Sequence, residues 1–164
     1  MRNFLSQFKG RQHGPLVQFI KYAIAGGIAT VVHVSLFYFC ALKLLPALNQ
    51  SDVLAGLLHL RVVEISDVIR ARNSVIDNLI AFLFSNLTAY LINIAWVFES
   101  GRHHRVVEIG FFYFVSGIST FIGSALMGFL IAQFGMTTTV AFAANGLTSL
   151  LINFVLRKYM IFKR

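Results

Sequence analysis

The sequence predicts an all-α integral membrane protein: four transmembrane helices forming two parallel two-helix repeats, with an extra amphipathic helix between the first and second spans. Three observations predict it. Hydrophobic residues make up 57% of the chain, charged residues only 12%, and the mean hydropathy is +0.75; a soluble domain needs more polar surface than that. The apolar residues gather into four runs, each close to the roughly 20 residues that a helix needs to cross a bilayer. Lys and Arg flank those runs with a one-sided bias. The length bounds the chain to a single membrane domain over 1–164.

The first span covers about 19–45, and Pro46 closes it. Beyond it, over about 53–72, Leu58, Val62, Ile65 and Ile69 recur at helical spacing beside Arg61, Glu64, Asp67 and Arg70. That pattern predicts an amphipathic helix at the outer membrane–water interface. The alternative is a solvated linker helix with internal ion pairs. The second span covers about 75–98, with Trp96 where an interfacial anchor belongs. Asp77 abuts this span on its outer side, so no carboxylate is expected deep in any span. The third and fourth spans cover about 109–134 and 138–156. Gly26, Gly27, Gly117, Gly123 and Gly128 lie inside the first and third, where small residues let helices approach closely.

Orientation follows from the flanks. Arg2, Lys9, Arg11, Lys21, Arg102, Arg105, Arg157, Lys158, Lys163 and Arg164 fall on one side. Lys43, Arg61, Arg70 and Arg72 fall on the other, offset by acidic residues. Both termini and the 99–108 connection are therefore expected in the cytoplasm, in a multi-pass protein of the cytoplasmic (inner) membrane. The net charge of +8 sits at the ends of apolar runs and forms no continuous patch, which does not suit nucleic acid. The first apolar run is too long for a cleavable signal peptide. Cys40 is the single cysteine, so no intrachain disulfide forms, and its expected role is apolar packing.

Two stretches recur. Gly27-Ile28-Ala29-Thr30 matches Gly117-Ile118-Ser119-Thr120, and the stretch ending at Phe98 matches the one ending at Phe162. Two spans per copy make a parallel repeat with a pseudo-axis along the membrane normal. Chance likeness between apolar helices is the alternative.

Polar residues at membrane depth point to function. His33, Asn86, Thr120, Asn145 and Thr148 fall near the middles of their spans. A polar group in hydrocarbon needs a partner or water, and a set at one depth satisfies itself by facing a shared interior. Asn86 and Asn145 are candidates for substrate contact or for interhelical hydrogen bonding. Thr30, Thr120 and Thr148 are expected to bond their own helix backbone. His33 is the costliest of the set to bury. It serves either structure or a substrate, as one donor and one acceptor when neutral. Lys21, Arg157 and Lys158 at the cytoplasmic boundary set topology and attract anionic membrane lipids; they are also candidates to hold a substrate phosphate. No catalytic constellation is present, so no enzymatic activity, metal or cofactor is expected. His103 and His104 are adjacent, without metal-site spacing, and no glycine loop cradles a phosphate.

KYAIAGGIATVVH, DNLIAF, YLINIAWVF and NFVLRKYMIF together resemble the GtrA-like family of small four-span membrane proteins. The resemblance rests on Lys21-Tyr22, Gly26 and Thr30, then Asn78, then Tyr90, Asn93, Trp96 and Phe98. In the second copy it rests on Asn153, Phe154, Lys158 and Phe162. Ala89 and Ile94 depart from the family's Asn and Arg, and Arg157 stands in place of the later Asn. The resemblance adds Asn78, Asn93 and Asn153 to the substrate-binding candidates. It implies flipping of a polyprenyl-phosphate-linked sugar, such as an undecaprenyl-phosphate carrier, for cell-surface polysaccharide synthesis. It also implies a membrane glycosyltransferase as partner and, given the narrow four-helix passage, a homo-oligomer. Two other functions compete. One is a non-transporting subunit that anchors or organises a glycosyltransferase. The other is a small multidrug-type exporter, which would need a membrane-embedded carboxylate.

Overall fold

The structure is a computed structural model and describes residues 15–97 and 105–156. Helix α1 spans Pro15–Lys43, α2 Val53–Leu57, α3 Asp67–Ile92, α4 Arg105–Phe134 and α5 Thr138–Leu156. A π-helical turn, Asn93–Val97, continues α3. Among the described residues, three helices are long and apolar enough to cross a membrane, over Leu16–Lys43, Asp67–Val97 and Phe112–Phe134. The last apolar helix, α5, is shorter.

Local chemistry sets the helix ends. Pro15 suits a first turn, where a missing N–H costs nothing. Asp52 caps α2 by accepting from the Leu54 N–H at 3.0 Å. The chain leaves α2 through a Schellman turn: His59, at φ +50°, donates its N–H to Gly56, and Leu60 donates to Ala55. Ser66 caps α3, and Asp67 follows in the first turn, where a negative charge suits the helix dipole. Gly135, at φ +61°, turns the chain between α4 and α5 in a conformation that a side chain would strain.

These ends correct the expected insertion. The stretch 53–72 is not one amphipathic helix. The left-handed His59 stops α2 after five residues, 58–66 is non-helical, and 67–72 already belongs to α3. The second span therefore starts two turns earlier than its hydropathy suggests. Arg70, expected on a polar face, is instead fully buried. Its Nη1 donates to Met136 O at 2.6 Å and to Thr138 Oγ1 at 3.4 Å. Its Nη2 donates to Asp67 Oδ1 at 2.6 Å and to Gly135 O at 3.4 Å. Around it Asn73 donates to Pro46 O at 2.8 Å, and Thr138 donates its hydroxyl to Ala47 O. Asp52 accepts from the Thr139 N–H at 2.9 Å. This network ties residues 46–52 to the turn between α4 and α5 and closes the loop end of the bundle.

Helices adjacent in the chain pack backbone to backbone: α1 on α3, α3 on α4, α4 on α5. Gly128 makes the α3–α4 contact close, since a Cβ there would sit 2.9 Å from Val75 Cγ2. Phe37, Ala71, Ala81, Met127, Ile131 and Ala141 form the core. Between α5 and α1 the contact is by side chains. Phe142 stacks on Phe37 at 3.9 Å between ring centroids, and Tyr38 donates to Thr139 Oγ1 at 2.9 Å. Phe84, Phe121, Phe129, Leu147 and Leu150 point outward, as a lipid solvent allows. Gly26, Gly27 and Gly117 also face open space, so within the chain close approach belongs to Gly123 and Gly128 alone of the five.

Candidate functional site

One side chain, Asn78, gathers the interior polar groups. It sits fully buried on α3, and each neighbouring helix brings it a partner. His33 of α1 lies with Nε2 2.9 Å from Asn78 Oδ1. Asn145 of α5 donates Nδ2–H to the same oxygen at 3.2 Å. Asn78 Nδ2 donates to Ser124 Oγ of α4 at 2.7 Å. The other imidazole nitrogen, Nδ1, is 2.9 Å from Ser85 Oγ, one heptad along α3. Since Asn78 Oδ1 is an acceptor, Nε2 carries the proton, and a neutral His33 accepts from the Ser85 hydroxyl. Ser85 is also 3.2 Å from Phe82 O, so its single proton serves either acceptor. Phe142 lies face-on to the His33 ring at 5.8 Å.

The helices meet here because the residues between them are small. A Cβ on Gly123 would overlap Asn145 Oδ1 and lie 2.7 Å from Ser149 Oγ. Glycine at this place in α4 is what lets Asn145 reach Asn78. Beside the cluster lies a cavity of about 580 Å³, inside the roughly 300–1,000 Å³ range of small-molecule sites. His33, Asn78, Ser85, Asn86, Thr120, Asn145 and Ser149 line it, with Phe82 and Phe142 as apolar walls. His33 is the single side chain in the lining able to carry positive charge. Thr30, Val34, Ala143, Gly146 and Leu150 also line it and are themselves exposed. The cavity therefore opens sideways, between α1 and α5, where no backbone contact closes the bundle.

The other candidates fall elsewhere. Asn86 lines the cavity two turns beyond Asn78 and accepts from Ser116 Oγ at 3.0 Å, leaving its Nδ2 without a partner. Asn93 is buried at the start of the π-helical turn, its Oδ1 unpartnered. That puts it fifteen residues along the helix from Asn78, roughly 22 Å at 1.5 Å per residue. Lys21 is buried against the same turn, its Nζ 3.4 Å from Trp96 O and 5.2 Å from the indole centroid. Asn153 belongs to α5, and Arg157 and Lys158 lie outside the described residues. Thr30 donates to Gly26 O of its own helix at 2.9 Å, as expected for a threonine in a span. Asp77 is a correction: it stands ten residues inside α3 and is fully buried, not at the border of a span.

Sequence reasoning missed Ser85, Ser124 and Ser149. A signal for Ser85 existed: Ala71, Ser74, Asn78, Ala81 and Ser85 recur every three or four residues, which is one small, polar face of a helix.

A bundle of apolar helices, lipid-facing outside and holding a polar cavity inside, defines a helical membrane protein with a candidate interior site. The chain belongs to the GtrA/DPMS transmembrane-domain family, whose model matches residues 21–162. No curated protein and no solved structure matches it.

Proposed function

We propose that this protein flips a polyprenyl-phosphate-linked sugar across the cytoplasmic membrane for cell-surface polysaccharide synthesis. The observation that carries the reading is the sideways opening of a polar cavity between α1 and α5. A polyprenyl-linked sugar has a hydroxyl-rich head and a long apolar tail. The head needs shielding from hydrocarbon, while the tail is at ease in lipid. A closed pore would have to swallow both; a lateral slot takes the head alone. Asn, Ser, Thr and neutral His side chains supply the mixed donors and acceptors that sugar hydroxyls need. Lys21, Arg157 and Lys158, on the side assigned to the cytoplasm, are the proposed contacts for the phosphate.

In this reading α1, α3, α4 and α5 all cross the membrane, in two repeats, with both termini cytoplasmic. Aligning the repeats on Gly27/Gly117 sets His33 opposite Gly123. Aligning them on Phe98/Phe162 sets Ser85 opposite Ser149. Ser85 meets the His33 ring, and Ser149 lies over the bare Gly123, which agrees with a common plan. The partners proposed are a membrane glycosyltransferase that supplies or uses the carrier, and further copies of this chain. A drug exporter fits less well, because Asp77 does not line the cavity and would not meet a cationic drug there.

The test is transport by the purified protein in liposomes, with labelled polyprenyl-phosphate sugars scored for sidedness. Movement by the protein alone is expected. No movement alone, and full movement once the glycosyltransferase is added, would make it an organising subunit instead. His33→Leu is expected to remain folded. Asn78 Oδ1 keeps Asn145, and Ser85 keeps Phe82 O, so no buried group is orphaned. Its transport should fall at least tenfold, and wild-type rates would remove His33 from the site.

A further inference from the structure

We propose that Asp77 is a proton-binding site, occupied in the packed state described above and emptied when α1 and α3 separate. Asp77 is fully buried, and neither carboxylate oxygen has a hydrogen-bond partner. Ser74, one turn earlier on the same face of α3, is also fully buried with its hydroxyl unpartnered. Both carboxylate oxygens of Asp77 thus lie buried without a donor, and the Ser74 hydroxyl one turn away is not hydrogen-bonded to them. An ionised carboxylate left in that state costs several kcal/mol, and no cation among the described residues offsets it.

The surroundings are otherwise mute. On α1 the buried thiol of Cys40 lies within electrostatic reach of Asp77. His33 and Tyr38 of the same helix are engaged by Asn78, Ser85 and Thr139. On α3 itself Arg70 lies two turns away, spent on Asp67 and on the α4–α5 turn. Over 112–134, α4 carries one titratable group, Tyr113, bound to Leu83 O, and over 138–152 α5 carries none. A metal ion would need a full shell of oxygens, and only three are free. One proton removes the charge outright: the carboxyl holds it while packed and releases it to water when the seam opens. Asp77 adjoins Asn78, so any parting of α1 from α3 at Asp77 also disturbs the His33–Asn78 contact at the cavity.

The test uses the protein in lipid nanodiscs and needs no substrate. Infrared spectra at neutral pH should show the carbonyl band of a protonated carboxylic acid. Labelling with ¹³C-aspartate should shift it, which restricts it to Asp52, Asp67 and Asp77. Asp77→Asn should abolish the band; should that variant fail to fold, Asp77→Glu should retain a band that ¹³C-aspartate no longer shifts. Cys40 reports the seam: its reaction with a small thiol reagent should rise at least tenfold more with alkaline pH in wild type than in Asp77→Asn. Three results would overturn the proposal. One is a spectrum with every aspartate ionised. Another is a protonated band lost on adding sodium at constant pH, which would make this a sodium site. The third is equal Cys40 reactivity in the two proteins.

Discussion

Asn78 has three times the consequence of a single hydrogen bond, because His33, Ser124 and Asn145 all depend on it. Replacing it with leucine leaves His33 Nε2, Ser124 and Asn145 Nδ2 short of partners, at about 1–3 kcal/mol for each buried group left unpaired. Asn78→Leu should therefore melt well below His33→Leu in detergent, although both remove the same 2.9 Å contact. Gly123→Ala makes a second contrast. Its new methyl collides with Asn145 and Ser149, an overpacking cost of about 1–3 kcal/mol. Gly117→Ala meets open space and should leave the melting temperature of the monomer within a degree or two. Much of this was readable beforehand. His33 and Asn145 stood out as polar residues that hydrocarbon penalises, and both are in the cluster. The serines did not stand out, since a hydroxyl bonds its own helix as readily as a neighbour, and only packing decides.

At the scale of the elements, the long apolar helices were legible because hydropathy reports what lipid dissolves. The start of α3 was not. Asp67 and Arg70 read as the polar face of an interfacial helix and Asp77 as the border of a span, yet Arg70 and Asp77 are buried. The carbonyls that satisfy Arg70 come from the turn between α4 and α5, more than sixty residues away in the chain. Nothing in the local pattern announces them. That network ranks its members. Arg70→Met strips donors from Met136 O, Gly135 O and Asp67, so it should cost about 3 kcal/mol or more. Asp67→Asn removes one half-exposed partner and should cost under about 1 kcal/mol. Thermal unfolding of the two variants in one lipid system checks the order, and a costlier Asp67→Asn would contradict it.

For the whole molecule, the orientation drawn from the basic flanks puts residues 44–66 outside. In a Cys40→Ala background, a cysteine at Gln50, which is exposed, should react with a membrane-impermeant reagent from the outer face. Labelling from the cytoplasm alone would invert the map. The sideways opening makes its own prediction. Cysteines at Thr30 and Gly146, joined by a flexible bifunctional reagent, would tether the mouth of the cavity. Tethering should stop head-group movement while leaving the melting temperature unchanged or higher. The family and the all-helical plan were legible from order and spacing along the chain. The slot was not, because it arises from a backbone contact that α1 and α5 do not make.

The way the bundle closes also bears on the order in which it is built. Each long helix packs on the one synthesised before it, so α1, α3 and α4 can associate as they leave the ribosome. His33 finds Asn78 and Ser85 as soon as α3 arrives. Phe142, Thr139 and Asn145 come with α5, and they complete the seam with Phe37, Tyr38 and Asn78. A chain stalled after residue 134 would already hold its imidazole in place but lack the aromatic clasp, leaving one flank of a three-helix intermediate facing the insertion machinery. Of the long helices described, α5 is made after the others, and it is the one that converts an open sheaf into a cavity.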